Sequence, residues 1–364
     1  MTHPLPGSIP LTRPEPLVRA DRILYIRFAK PDFEASRRFF GDFGLTVADE
    51  PPERLLLRGA GPAPYVYVAE RGAAPAFLGT GFATDARADL ETLARATGRP
   101  IEPIDLPGGG ERVRLTDPIG FTVDVVHGIE PVATLPTRQQ PLPLNTPFAK
   151  PRVNVTQRPP RAPADVWKLG HCVVQTPRFA EAATWYMRHL GLIPTDVQCL
   201  PDGRPALAFL RTDRGATPSD HHTFVVVTGP KSAFLHCAFE VLDVDALGEG
   251  QQILKAGGWH HVWGIGRHTL GSQLFDYWDD PDGFEVEHYA DSDVFTADHP
   301  PEYSPFERGR LWEWGDAVPA SLGPQPSVGL ITDVVRGLFS GDLDWQTLKQ
   351  LGAALGKPPR PWRR

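Results

Sequence analysis

The sequence predicts an α+β protein: two tandem βαβββ modules, each a set of strands curling around a cavity, followed by a C-terminal helical extension. Three observations carry this expectation. The chain has 364 residues, enough for two domains or one duplicated unit, and long enough to bury well over half of its unfolded surface without disulfide staples. A proline-rich stretch, PVATLPTRQQPLPLNTPFAKPRVNVTQRPPRAPAD (131–165), reads as an extended linker and divides the chain into comparable halves. The halves also repeat each other.

The elements follow in order. Residues 1–20 form a proline-rich arm that lacks the apolar core of a signal peptide. The first module, 21–130, contains RILYIRFAKPDFEASRRFFGDFGLTV (22–47). Its counterpart in the second module, 166–300, is KLGHCVVQTPRFAEAATWYMRHLGLI (168–193). Each is a short apolar strand, a proline, and a helix opening at Phe33 or Phe179, with the glycine before the final leucine as a C-cap signal. PAFLGTGF (75–82) then matches SAFLHCAF (232–239), and DPIGFTVD (117–124) matches DPDGFEVE (280–287), in the same order. In the extension, 301–364, RGRLWEWGDAVP (308–319) reads as an extended segment packing near the cavity mouth. VGLITDVVRGLF (328–339) and LDWQTLKQLGAALG (343–356) place apolar residues at helical spacing, broken at Gly341-Asp342, and are expected to pack on their own or a neighbouring subunit.

Composition excludes several classes of partner. The net charge is −7 with the signs interspersed and no long Lys/Arg run, which argues against nucleic acid and anionic membranes. Hydrophobic residues make up 41%, yet no 18-residue apolar run exists to span a bilayer. Three scattered cysteines (Cys172, Cys199, Cys237) do not make a secreted disulfide framework. The expected compartment is the cytoplasm, and the expected assembly a homo-oligomer.

The repeat isolates the chemistry. In the second half the first strand carries His171, the middle strand His236 and the last strand Glu287; the first half has Tyr25, Gly79 and Asp124 there. Alone, a histidine in an apolar strand is ordinarily a packed core residue, and a glutamate in an alternating strand ordinarily faces water. Together, two imidazoles and a carboxylate at equivalent inward places match the facial triad that binds non-haem Fe(II) and leaves positions open. A structural zinc site would call for four closed ligands. The first half, lacking both imidazoles, is expected to be structural.

Three further residues, His221, His268 and Tyr277, sharpen the case. SDHHTFVVV (219–227) puts His221 and His222 at a strand entrance, with His221 fifteen residues before His236. GRH supplies His268, and FDYWDDPDG supplies Tyr277, ten residues before Glu287. Strand alternation would point His222 to the face opposite His221. The run from Gly266-Arg267-His268 through Tyr277 to Glu287 resembles the signature of the type I extradiol ring-cleavage dioxygenases of the vicinal oxygen chelate superfamily, over roughly residues 20–300. The resemblance implies Fe(II), one per chain and only in the C-terminal module, with O2 as co-substrate and a catechol as substrate. It implies His171, His236 and Glu287 as iron ligands and His221 as the acid–base histidine near the metal. His268 and Tyr277 would hydrogen-bond the substrate oxygens. Apart from the resemblance, His222 and Trp263 are candidate substrate-binding residues.

Trp263 departs from relatives that take carboxylated catechols, which have an arginine five residues before the GRH histidine. An indole cannot pair with a carboxylate as a guanidinium does, so an uncharged, bulky catechol is favoured. Two alternatives stand beside this reading. An Fe(II) enzyme of the hydroxyphenylpyruvate dioxygenase type would share the triad but has no use for His221, His268 and Tyr277 in this pattern. A non-enzymatic small-molecule binding module would need none of the six.

Overall fold

The computed structural model describes residues 5–159, 161–319 and 327–357. The first half runs β1 (Arg22–Lys30), α1 (Phe33–Phe43), β2 (Thr46–Asp49), β3 (Arg54–Arg58), β4 (Tyr67–Arg71), β5 (Ala76–Ala83), α2 (Arg87–Thr97), β6 (Ile101–Pro103), β7 (Glu111–Thr116) and β8 (Thr122–His127). The second runs β9 (Lys168–Thr176), α3 (Phe179–Leu190), β10 (Ile193–Cys199), β11 (Pro205–Arg211), β12 (Ser219–Asp220), β13 (Phe224–Thr228), β14 (Ala233–Glu240), α4 (Val244–Ala256), β15 (His260–Arg267), β16 (Leu274–Asp279), β17 (Glu285–Ala290), β18 (Val294–Phe295) and β19 (Glu302–Pro305). Two helices follow, α5 (Val328–Ser340) and α6 (Trp345–Leu355).

Each half is built on one mixed sheet, and in the second β12 and β18 form a small separate pair. The first has the order β2-β3-β4-β1-β5-β8-β7-β6 and the second β15-β16-β17-β14-β9-β13-β11-β10-β19. The two-module α+β architecture is the expected one, but the repeat is finer: each sheet holds two βαβββ units, the second opened by β5 or β14 and carrying α2 or α4. The sequence comparison resolved only α1 and α3, because their proline and glycine punctuation is the strongest local signal. Asp32 caps α1 by accepting from the Glu34 and Ala35 amides, and Gly44 closes it at φ 104. A side chain at Gly44 would also collide with the Ala164 carbonyl, 1.8 Å from the Cβ position. Gly191 closes α3 in the same left-handed conformation.

The two halves share one continuous core. Phe28 of β1 packs against Phe234 and Phe284 of the second half, ring centroids 5.2 and 4.7 Å apart, and Phe43 of α1 stacks on His288 at 3.7 Å. Each fully buried phenylalanine contributes about 1.5–3 kcal/mol by area. The linker 131–165 carries no helix or strand among its described residues. The N-terminal arm lies on the second half: the Leu17 and Ala20 amides donate to the Arg188 and Leu190 carbonyls. No helix among the described residues is long and apolar enough to cross a membrane.

A buried ion pair joins the halves through the core. Lys30, at the end of β1, is fully buried with Nζ 2.5 Å from Asp280 Oδ2 and 2.8 Å from Asp282 Oδ2. Both acids belong to the Asp280–Gly283 turn that precedes β17. Removing one partner of such a pair leaves a buried charge uncompensated. Lys30→Met is therefore expected to lower unfolding stability by about 3–5 kcal/mol, read from chemical denaturation. A loss under about 1 kcal/mol would mean that water reaches the acids.

Candidate metal centre

Backbone register sets the site. On β14, Ala238 pairs with His171 of β9 on one side and Glu287 of β17 on the other. Residues directly opposite share a face, so His171 and Glu287 stand on either side of Ala238, whose methyl leaves the space between them free. His236 is two residues earlier on β14 and returns to that face. Farther along, Glu287 pairs with Tyr277 of β16, and Tyr277 with Trp263 of β15. One row across five strands thus carries Trp263, Tyr277, Glu287, Ala238 and His171.

The three expected ligand groups converge: one ligand atom from each of His171, His236 and Glu287 lies within 4.8 Å of the others. Nε2 of His171 and of His236 are 3.3 and 3.5 Å from Glu287 Oε2. Glu287 is fully buried, and neither of its oxygens has a hydrogen-bond partner; His171 Nδ1 is likewise buried and unpartnered. A buried carboxylate without a donor is a large desolvation cost unless a cation completes it. Burial pushes the His236 imidazole down to about 3, which keeps it neutral and able to offer a lone pair. Burial alone would raise Glu287, but His171, His268 and His236 hold its carboxyl well below the usual range. Two imidazoles and an anionic carboxylate, short of donors, fit a divalent metal with open positions.

The paired histidines are placed differently from expectation. His222 faces the ligands, its ring centroid 4.0 Å from that of His171, while His221 lies behind it with both ring nitrogens taken. His221 Nε2 is 2.7 Å from Asp196 Oδ2, and its Nδ1 is 2.8 Å from His222 Nδ1. The expectation that His221 faces the metal and His222 turns away is thus reversed. The reason is local: β13 starts only at Phe224, and residues 221–223 form a bend after β12. Strand alternation does not apply there. Asp196 was missed altogether; the signal was a lone acid inside the otherwise buried strand IPTDVQC.

His268 and Tyr277 meet as well. His268 Nδ1 is 2.6 Å from the Leu311 carbonyl, which can only accept, so Nδ1 carries the proton. Nε2 then accepts from the Tyr277 hydroxyl at 2.9 Å. That Nε2 is also 3.7 Å from Glu287 Oε1, so the pair borders the ligand cluster. Trp263 is 4% exposed, lies nearly parallel to Tyr277 with centroids 5.6 Å apart, and donates Nε1–H to the Asp316 carbonyl. Residues 311–316 pack over this wall. The Arg267 amide bonds the Trp314 carbonyl, the Glu313 amide bonds the Arg267 carbonyl, and Trp312 is buried against Trp263.

Comparison with known proteins agrees with this geometry. Residues 168–288 match the model of the Glyoxalase/Bleomycin resistance protein/Dioxygenase superfamily. Metapyrocatechase 2 from Cupriavidus necator is 30% identical over 318 residues, covering 86% of this chain and 94% of that protein. The chain belongs to the type I extradiol dioxygenases of this superfamily. Among solved structures, homoprotocatechuate 2,3-dioxygenase from Arthrobacter globiformis superposes with a TM-score of 0.70 at 20% identity, covering 87% of this chain and 95% of that one. A Mn(II)-bound glyoxalase from Novosphingobium aromaticivorans has the same TM-score at 23% identity, covering 85% and 95%. At such identities these likenesses speak for the fold.

Within this extradiol dioxygenase chain the first half repeats the row with different contents. Tyr25 pairs with Gly81, Gly81 with Asp124, and Asp124 with Arg114, which stands where Tyr277 stands in the second half. Arg114 Nε and Nη2 reach Asp124 Oδ1 and Oδ2 at 2.7 and 2.8 Å, and the Tyr25 hydroxyl donates to Oδ2 at 2.9 Å. The carboxylate that would greet a metal is already satisfied by a guanidinium. At Gly79, the counterpart of His236, a Cβ would lie 1.9 Å from the Thr122 carbonyl, so no side chain fits. Metal analysis of the loaded chain is expected to give about one ion per chain, as one complete triad implies; a value near two would contradict it.

Proposed function

We propose that the chain opens the ring of a catechol beside its two hydroxyls, inserting both atoms of O2, as an Fe(II)-dependent extradiol dioxygenase. His171, His236 and Glu287 hold the iron, residues 166–300 carry the catalysis, and residues 21–130 are structural. The observation that carries this reading is the unpartnered, buried Glu287 carboxylate between two imidazoles, with His222 on one side and the His268–Tyr277 pair on the other.

When bound, ferrous iron supplies Lewis acidity that favours the deprotonated catechol, and a route for electrons between catechol and O2. The protein supplies the rest. The Tyr277 hydroxyl, now spent on His268, is free to turn to a substrate oxygen, with His268 held in one tautomer by Leu311. His222 adjoins the ligands, and its hydrogen bond to His221 uses Nδ1 and leaves Nε2 on the opposite edge of the ring. Its Nε2 would take the proton that a catechol sheds on binding and would give one back as the ring-opened product forms. Trp263, Phe275 and Trp312, with the chain over them, form a dry apolar wall that keeps water from the ring.

Anaerobic loading with Fe(II), followed by catechol and air, is expected to give a coloured ring-opened product, while Zn(II)-loaded protein gives none. Full turnover with Zn(II) alone would overturn a redox mechanism.

The wall also predicts selectivity. Arg267, the nearest candidate to replace the missing arginine, is engaged with Asp291 at 2.8 Å and with the Ser272 carbonyl. A carboxylate beside Trp263 would go unpaired, at a cost of about 1–3 kcal/mol. Against a bulky alkyl or aryl catechol, kcat/KM for a carboxymethyl catechol should therefore fall about 10- to 100-fold. Preference for the acid would place a cation that this wall lacks.

A further inference from the structure

We infer that Asp196 and His221 are positioning residues for His222, holding it in the one tautomer whose Nε2 accepts a proton on the ligand side. This rests on the proposed dioxygenase reading of the same site.

The chain of donors has only one arrangement in which neutral rings satisfy every atom. Asp196 Oδ2 can only accept, so at 2.7 Å His221 must present Nε2–H to it. The neutral His221 ring then has a lone pair at Nδ1. His222 Nδ1, 2.8 Å away, must be the donor there, and its Nε2 is left with the lone pair. Each link holds one proton, and each proton has one acceptor. Without Asp196 the middle ring could turn its proton to Nδ1, and His222 would present N–H to the ligand side instead.

The surroundings enforce the arrangement. A β-bulge at Thr195 shifts the register between β10 and β11, with Pro194 opposite Leu210 and Asp196 opposite Phe209; such bulges re-aim a side chain. Asp196 is fixed on its other edge by pairing with Glu302 of β19. Phe209 stands against both imidazoles, centroids 5.3 and 5.0 Å away, and Phe295 closes on His221. The two rings are perpendicular, at 89°, so they meet edge to edge at the Nδ1 atoms and do not stack. Gly271, at φ 75, lies flat over His221: a Cβ there would be 2.9 Å from its Nδ1. All three polar residues are buried, so water does not compete for the links.

Two measurements on the full chain test this. In the first, ¹⁵N resonances of the metal-free protein report which ring nitrogens carry protons. His222 should be protonated at Nδ1 and bare at Nε2, and Asp196→Asn should scramble that pattern. Kinetics on the iron-loaded enzyme form the second. Asp196→Asn and His221→Gln should each lower kcat about 10- to 100-fold, the usual worth of an outer partner, with KM for catechol and metal content little changed. In a His222→Ala background, Asp196→Asn should have no further effect on kcat, because its route runs through that ring.

A bare Nδ1 on His222 in the wild type, undiminished kcat in both single variants, or an equal further loss in the His222→Ala background would each overturn the inference. If the iron-loaded wild type cleaves no catechol, the dioxygenase reading is what fails; the ¹⁵N pattern still decides the tautomer.

Discussion

His236→Ala is expected to abolish stoichiometric metal binding and, with it, all catechol turnover, while the chain remains folded. His236 sits near the open end of the triad, with a side chain 17% exposed where His171 and Glu287 are nearly sealed. Alanine there removes one of the two nitrogen donors without creating a closed cavity. The remnant, one imidazole and one carboxylate, holds Fe(II) poorly because the facial geometry needs three ligands. Metal content after gel filtration and the unfolding transition measured together check the result. Full metal content would move the centre away from β14.

His222→Ala should behave in the opposite way. It leaves all three ligands and the His268–Tyr277 pair in place, so metal content and anaerobic catechol binding persist. Turnover should fall by about 10²–10⁴, the usual worth of a positioned acid–base group. His221→Ala should cost less, because His221 touches the ligands only through His222. The neighbours serve as each other's control. A crippled His221→Ala beside a near-normal His222→Ala would restore the register that strand alternation suggested.

The contrast between these two residues marks where the sequence stopped being legible. The repeat located His171, His236 and Glu287 because strand pairing is a long-range regularity: equivalent strands put equivalent residues on one face, so Ala238 stands between His171 and Glu287 as Gly81 stands between Tyr25 and Asp124. The α1 and α3 boundaries were legible for a local reason, glycine in the left-handed region. His221 and His222 failed because they lie in a bend, where the period of two has no meaning. Asp196 was invisible because its partner is 25 residues away and its direction depends on a bulge. The guanidinium in the first half was equally hidden, since Arg114 looks like any surface arginine in an alternating strand until Asp124 is seen to lack another partner for its Oδ1. The α5 and α6 helices follow their periodicity, from Val328 to Ser340 and from Trp345 to Leu355.

On the proposed reading, one iron centre in the second half joins O2 to a catechol ring. Labelled dioxygen tests it most directly. The chain, loaded anaerobically with Fe(II), is given a catechol and ¹⁸O2, and the ring-opened product is analysed by mass spectrometry without delay. Two ¹⁸O atoms are expected in one product molecule, before exchange with water, in a product opened beside the hydroxyls. Product that carries no label, or the catechol recovered intact in the presence of bound iron, would contradict it.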